Sequence, residues 1–291
     1  MKENQDSTSF PNNFAVLAIG NMGKTARLSL ASLLQTNPAS VCCLSDNLGT
    51  KWIKEVSHNF PICFHDLSSD SESLIGTSFN YESLKTFGAE DFVKLTPLKW
   101  DLIKSCLERH SSFPGIMFTD LDVLWRNSYP RFSSMHSGND ISVYAQNDYF
   151  RFSKRPHYCT GIMFWPNTSA NKSFLLQLSM SHKKSIADGD LTPDEPKFNA
   201  FITENDSQKH VKALPRDQYV IGHRLLELLL SRKLRKLDLK AFHANYLYGD
   251  KEKFLALKSI QWKLRSNPYW ITKIPFFVVK KFLRKYGLMN A

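Results

Sequence analysis

Asp120 and Asp122 stand one residue apart, after the apolar run Gly115-Ile116-Met117-Phe118 and before Val123-Leu124-Trp125. Two carboxylates this close repel each other unless a positive charge lies between them. A hard divalent cation, Mn2+ or Mg2+, meets that need with oxygen ligands and bridges phosphates. In a strand, residues i and i+2 point to one side, so both acids can face one ion. The apolar run reads as a buried strand, and open α/β sheets bind ligands outside the carboxyl ends of their strands. An Asp-x-Asp alone also occurs as a solvated turn. The segments around it set this one apart.

The run Phe14 to Gly20 reads as a buried strand ending in a glycine turn, followed by a helix over Thr25 to Leu34. Ser40 to Ser45 and Pro61 to His65 read as further strands, with a helix over Thr50 to Ser57 between them. Leu98, Leu102, Ile103 and Cys106 form the apolar stripe of a helix over Pro97 to His110, which leads into the strand before the aspartates. Asp140 to Ala145 and Tyr158 to Trp165 are strands; Lys172 to Ser181, Pro193 to Thr203 and a basic stretch, His223 to Leu237, are helices. Strands alternating with helices imply an α/β fold with a mostly parallel sheet. Gly20-Asn21-Met22-Gly23-Lys24-Thr25 lacks the spacing of a phosphate loop, though it lies where a base and ribose could rest.

With 291 residues, 42% of them hydrophobic, the chain can bury a full core, which excludes wholesale disorder. The five cysteines show no metal spacing, and their odd number argues against a disulfide framework, so a reducing compartment is expected. Residues 1–13 are polar and read as a disordered N-terminus without a secretory leader. No stretch is apolar enough to span a bilayer. The net charge of +11 sits at the C-terminal end: residues 231–291 hold fifteen Lys/Arg against three Asp/Glu. An anionic partner is expected there. The tail, 266–291, sets Tyr269, Trp270, Phe276 and Phe277 among Lys273, Lys280, Lys281, Arg284 and Lys285. That mixture suits an anionic membrane surface; the alternative is a C-terminal helix packed on the rest of the chain.

Five segments occur in a set order: Phe118-Thr119-Asp120-Leu121-Asp122; Gln146-Asn147-Asp148; Cys159-Thr160-Gly161-Ile162-Met163-Phe164; Asp194-Glu195-Pro196-Lys197-Phe198-Asn199; and His243-Ala244-Asn245-Tyr246 with Gly249 and Lys253. Together they resemble the nucleotide-diphospho-sugar transferases typified by glycosyltransferase family 77 and, more distantly, family 8. The resemblance implies a GT-A fold over residues 14–265: a Rossmann-like, mixed, mostly parallel sheet flanked by helices. It implies a retaining, metal-dependent glycosyltransferase moving a sugar from a nucleotide sugar, usually UDP-linked, to a glycan or lipid-linked acceptor. Carried over, Asp120, Asp122 and His243 are metal ligands, and an imidazole suits Mn2+ better than Mg2+. Lys253, or Lys251 beside it, would neutralise the diphosphate. Asp120, Asp148, Thr160, Gly161 and Gly249 would line the donor site, Gly161 by letting a sugar approach the backbone. His243 is expected in a polar loop.

Asp194 and Glu195 are the candidate catalytic pair. The resembled pattern has an amide where this chain has Glu195, which leaves three readings: another donor, a shifted register, or an altered or lost activity. A catalytically silent, carbohydrate-binding or scaffolding protein is therefore the alternative to an enzyme. A nuclease or phosphatase would need more clustered carboxylates, and the basic end carries no nucleic-acid motif, so no nucleic-acid partner is expected. The implied setting is the cytoplasm or, through the tail, the inner face of a membrane where surface polysaccharide is built.

Overall fold

The computed structural model describes residues 13–20, 23–36, 40–58, 60, 63–66, 89–126, 142–148, 156–224, 228, 238–245 and 249–265. The chain order is β1 (Asn13–Ala18), α1 (Lys24–Leu34), β2 (Ser40–Ser45), α2 (Asn47–Ser57), β3 (Cys63–Asp66), α3 (Glu90–Leu95), α4 (Leu98–Arg109), β4 (Gly115–Thr119), β5 (Val123–Trp125), β6 (Val143–Asn147), β7 (Tyr158–Pro166), α5 (Ser169–Ala187), α6 (Asp194–Glu204), β8 (Val211–Leu214), β9 (Tyr219–Ile221), β10 (Ala241–His243) and α7 (Asp250–Leu264).

Among the described residues, seven strands form one sheet in the order β3-β2-β1-β4-β7-β6-β8. β1, β2, β3 and β4 run parallel, β7 runs antiparallel to both β4 and β6, and β8 is parallel to β6. The expected mixed, mostly parallel sheet is thus present. The central strands β2, β1, β4 and β7 are buried on both faces, as crossover helices require. Phe14, Val16 and Ala18 of β1 pack with Leu30, Leu33 and Trp52 of α1 and α2 on one face. Ala15 faces the other side, where Trp100 and Ile103 of α4, Leu175 of α5 and Phe198 of α6 close the core.

A second sheet, β5-β10-β9, is the device that completes the site. β10 lies antiparallel to β5 with His243 opposite Val123, and Ala244 N donates to Asp122 O at 2.9 Å. α7 covers this sheet with Leu257 and Ile260.

Several expectations change. α2 begins three residues before Thr50, because Asp46 caps it: Oδ1 accepts from Gly49 N at 2.6 Å, while Oδ2 holds Gly20 N at 2.9 Å. Strand β4 stops at Thr119, and Leu121 and Asp122 form a turn. The acids therefore do not share a strand face, and their convergence comes from the turn. His243 lies in no polar loop: it ends a strand and is buried. Of the basic helix expected from His223 to Leu237, Gly222–Arg224 form a single 3-10 turn and most of the rest falls outside the described residues. So do residues 1–12 and the tail 266–291.

Candidate active site

Asp120, Asp122 and His243 come together, their ligand atoms all within 4.8 Å of one another. His243 Nε2 lies 3.0 Å from Asp122 Oδ1 and 3.8 Å from Asp120 Oδ2. Its other nitrogen, Nδ1, is 3.0 Å from Gln146 Oε1 and donates its hydrogen there. Nε2 therefore turns a lone pair toward two carboxylates. That repulsion is relieved by a proton or by a divalent cation, and an imidazole with its second nitrogen bonded in this way is the usual arrangement of a metal-binding histidine. Asp122 Oδ1, buried and with no hydrogen-bond donor other than a protonated His243 among the described residues, is a further candidate ligand atom. The residues fit a divalent cation with mixed oxygen and nitrogen ligands.

The electrostatics separate the two acids. Burial pushes the Asp122 carboxyl up, but Lys253 and His243 outweigh it and hold it well below the usual range. Lys253 Nζ sits 2.6 Å from Asp122 Oδ2. Burial keeps the Asp120 carboxyl above its usual range, with Asp122 adding to it and Lys99 opposing. Burial works against charging His243, yet Asp122 and Asp120 raise it above its ordinary value. Asp120, with its side chain 36% exposed, is the acid open to a ligand; Asp122, at 13%, is the inner one.

Lys99 is one residue that the sequence reading missed. It is buried in the first turn of α4, ion-paired to Asp194 Oδ2 and 3.5 Å from Asp120 Oδ1. It also reaches Thr160 O and Oγ1, both at 3.3 Å. Thr160 Oγ1 donates to Asp194 Oδ2 at 2.5 Å. Burial opposes ionisation of Asp194, but Lys99 and Thr160 prevail and hold its carboxyl low. A signal was present: Lys99 lies four residues before Ile103 and seven before Cys106, within the apolar stripe of its own helix.

Thr160 and Gly161 reach the site through an irregularity in β7. The register with β6 jumps from Ala145↔Met163 to Gln146↔Cys159, so residues between Cys159 and Met163 have no partner on β6. Asp120 N donates to Gly161 O at 2.8 Å. The glycine makes room for the histidine ring: a Cβ there would stand 2.0 Å from His243 Cε1 and 2.7 Å from each ring nitrogen. Gly161→Ala is therefore expected to push the imidazole aside. Mn2+ affinity should fall at least about tenfold and stability by about 1–3 kcal/mol, read by calorimetric titration and thermal melting. Wild-type affinity in this variant would show that the ring does not need its present seat.

The remaining candidates divide. Asp148 is fully buried just after β6, with Oδ1 3.7 Å from His223 Nδ1. Glu195 opens α6 and meets His157 Nε2 at 3.1 Å. Gly249 takes φ +77° before α7 with open space around it, so its backbone angle accounts for the glycine. Lys251 is exposed; two residues along a helix is about 200° of rotation, which turns it away from the face that carries Lys253. The start of α1 binds no free anion here, since the Asp250 carboxylate accepts from Lys24 N at 3.2 Å and Thr25 N at 3.0 Å. The same residue begins α7, so it ties Lys253 to the loop after β1. Cys42, Cys43, Cys106 and Cys159 are buried and form no disulfide among the described residues. Among the described residues, no helix is long and apolar enough to cross a membrane.

Comparison with known proteins bears on the family and the fold. The model of the nucleotide-diphospho-sugar transferase family matches residues 51–257. Mouse xyloside xylosyltransferase 1, in its apo form, aligns with a TM-score of 0.52 and 13% identity, over 81% of this chain and 98% of that one. A glycosyltransferase involved in glycosylation of the major capsid of PBCV-1 aligns at 0.49 and 12% identity, over 85% of this chain and 99% of that one. No curated protein matches the sequence. At such identity the shared feature is the fold, GT-A.

Proposed function

The chain belongs to the nucleotide-diphospho-sugar transferase family, and from that premise we propose that it is a metal-dependent, retaining glycosyltransferase using a UDP-sugar and a glycan or lipid-linked acceptor. One observation carries the reading: Asp120, Asp122 and His243 converge with Lys253 at the edge where β4 ends. The segment order that resembles family 77 favours UDP as the nucleotide and Mn2+ as the cation.

The chain's own groups account for the chemistry. As the bond from sugar to diphosphate breaks, negative charge grows on the leaving group. Lys253, partly exposed and anchored on Asp122, is placed to meet it. Asp120, Asp122 and His243 would hold a divalent cation, which would supply further positive charge there. Asp194 Oδ2 is fully engaged by Lys99 and Thr160, leaving Oδ1 for a donor-sugar hydroxyl. Gln146 sets the tautomer of His243. We assign the tail 266–291 to an anionic membrane surface that brings a lipid-linked acceptor within reach, with the GT-A domain at residues 14–265 on the cytoplasmic side.

A panel of nucleotide sugars, incubated with the full chain and Mn2+ and read as nucleoside diphosphate release, tests the proposal. Release from one UDP-sugar, dependent on the metal, is the expected result. Donor binding without release from any member would instead favour a silent carbohydrate-binding protein, the reading that Glu195 left open.

A further inference from the structure

Glu195 stands where the resembled pattern has an amide, and the structure supplies it with an imidazole partner. His157 Nε2 lies 3.1 Å from Glu195 Oε1. Asn199 fixes the two segments that carry them. Its Oδ1 accepts from Tyr158 N at 2.9 Å, and its Nδ2 donates to Tyr158 O and Glu195 O, both at 2.8 Å. Cys159, next to Tyr158 in the chain, has its Sγ 3.5 Å from His243 Nδ1. Asn199 and the Tyr158–Cys159 pair thus join the Glu195 backbone to the metal ligands. On its other side His157 faces Asp148, which in turn faces His223.

We propose that His157 is a positioning residue that holds the Glu195 carboxylate toward the anomeric carbon of the donor sugar, so that this chain uses a carboxylate–imidazole pair in place of an amide. The inference rests on the glycosyltransferase reading. Positive charge develops at the anomeric carbon as the diphosphate departs, and a fixed anion nearby stabilises that state more than the ground state. The raised pKa of His157, caused first by its bond to Glu195, agrees with a charged pair. Among the described residues, the groups facing His157 are Glu195 from α6 and Asp148 from the end of β6.

The test is a kinetic cycle on the full chain. His157→Ala should lower kcat about 10- to 100-fold, the scale of a small misplacement of a reacting group. KM for the nucleotide sugar should stay within about twofold and the melting temperature should hold, since positioning affects the transition state. His157→Gln, which keeps an N–H donor, should recover most of the loss. In a Glu195→Gln background, His157→Ala should have no further effect. Multiplicative losses, or His157→Ala within twofold of wild type, would overturn the proposal. A second arm needs no turnover. The imidazole of His157, followed by NMR, should titrate above its ordinary value in the wild type and fall back in Glu195→Gln. A midpoint that does not move in an active enzyme overturns the pair alone. A midpoint that moves in a chain that turns over no nucleotide sugar overturns the transferase reading and the role given to the pair with it.

Discussion

Replacing Asp122 with alanine should lower kcat/KM about a thousandfold or more, while the chain stays folded. Asp122 is the hub of the site. It takes Lys253 on Oδ2 at 2.6 Å and faces the imidazole of His243 from Oδ1 at 3.0 Å. Removing it deletes one ligand, unseats the lysine meant for the diphosphate, and removes the charge that raises His243. Stability should suffer far less. Lys253 is 31% exposed and can turn to water, and His243 can give up its proton, so no stranded charge remains. A cost of about 1–2 kcal/mol is expected, within the ordinary range for single substitutions. Steady-state kinetics over a Mn2+ series, beside thermal melts, separate the two effects. Turnover within tenfold of wild type would remove Asp122 from the machinery.

Lys99→Met has the larger effect on stability. Lys99 and Asp194 are both below a tenth exposed, so neither can reach water when the other is lost. Breaking a buried pair by removing one partner costs about 3–5 kcal/mol. In a domain of this size that lowers the melting temperature by about 10 °C. The pH dependence has a definite sign. In the wild type the Asp194 carboxyl is depressed by Lys99, so its contribution is present above the usual carboxylate range and is lost as pH falls. In the variant Asp194 is a buried carboxyl with no cation and binds a proton more readily than in the unfolded chain. The deficit should therefore be largest near neutrality and shrink toward pH 4. Activity should also fall, since Lys99 holds both Asp194 and Asp120. A deficit independent of pH would mean that the loss is one of packing alone.

The long, strongly patterned elements were legible. β1, β2, β4 and β7 are apolar runs that become central strands, and the stripe of α4 is where the spacing puts it. The turn acids were legible as a pair, though their geometry was not: a strand would have faced both to one side, whereas the chain turns at Leu121. His243 was found through the order of the motifs, yet it was placed in a loop. Ala241-Phe242-His243 is too short to carry a pattern and becomes a strand only by pairing with β5 and β9, contacts more than a hundred and about twenty residues away. Lys99 and His157 were missed for the same reason. A lone lysine in an apolar stripe hints at a buried charge, but its partner stands 95 residues later. His157 has no pattern at all, and only the fold brings it to Glu195. The Gly161 reading changed its cause: the space that the sequence reserves for a sugar is taken by the His243 ring.

Whether Asp120, Asp122 and His243 hold one divalent cation is read most directly by electron paramagnetic resonance of Mn2+ added to the full chain with UDP. Bound Mn2+ should show a nitrogen coupling from the imidazole, and His243→Ala should abolish that coupling. Mn2+ that stays free in solution, or that binds with the same nitrogen coupling in His243→Ala, would contradict the assignment.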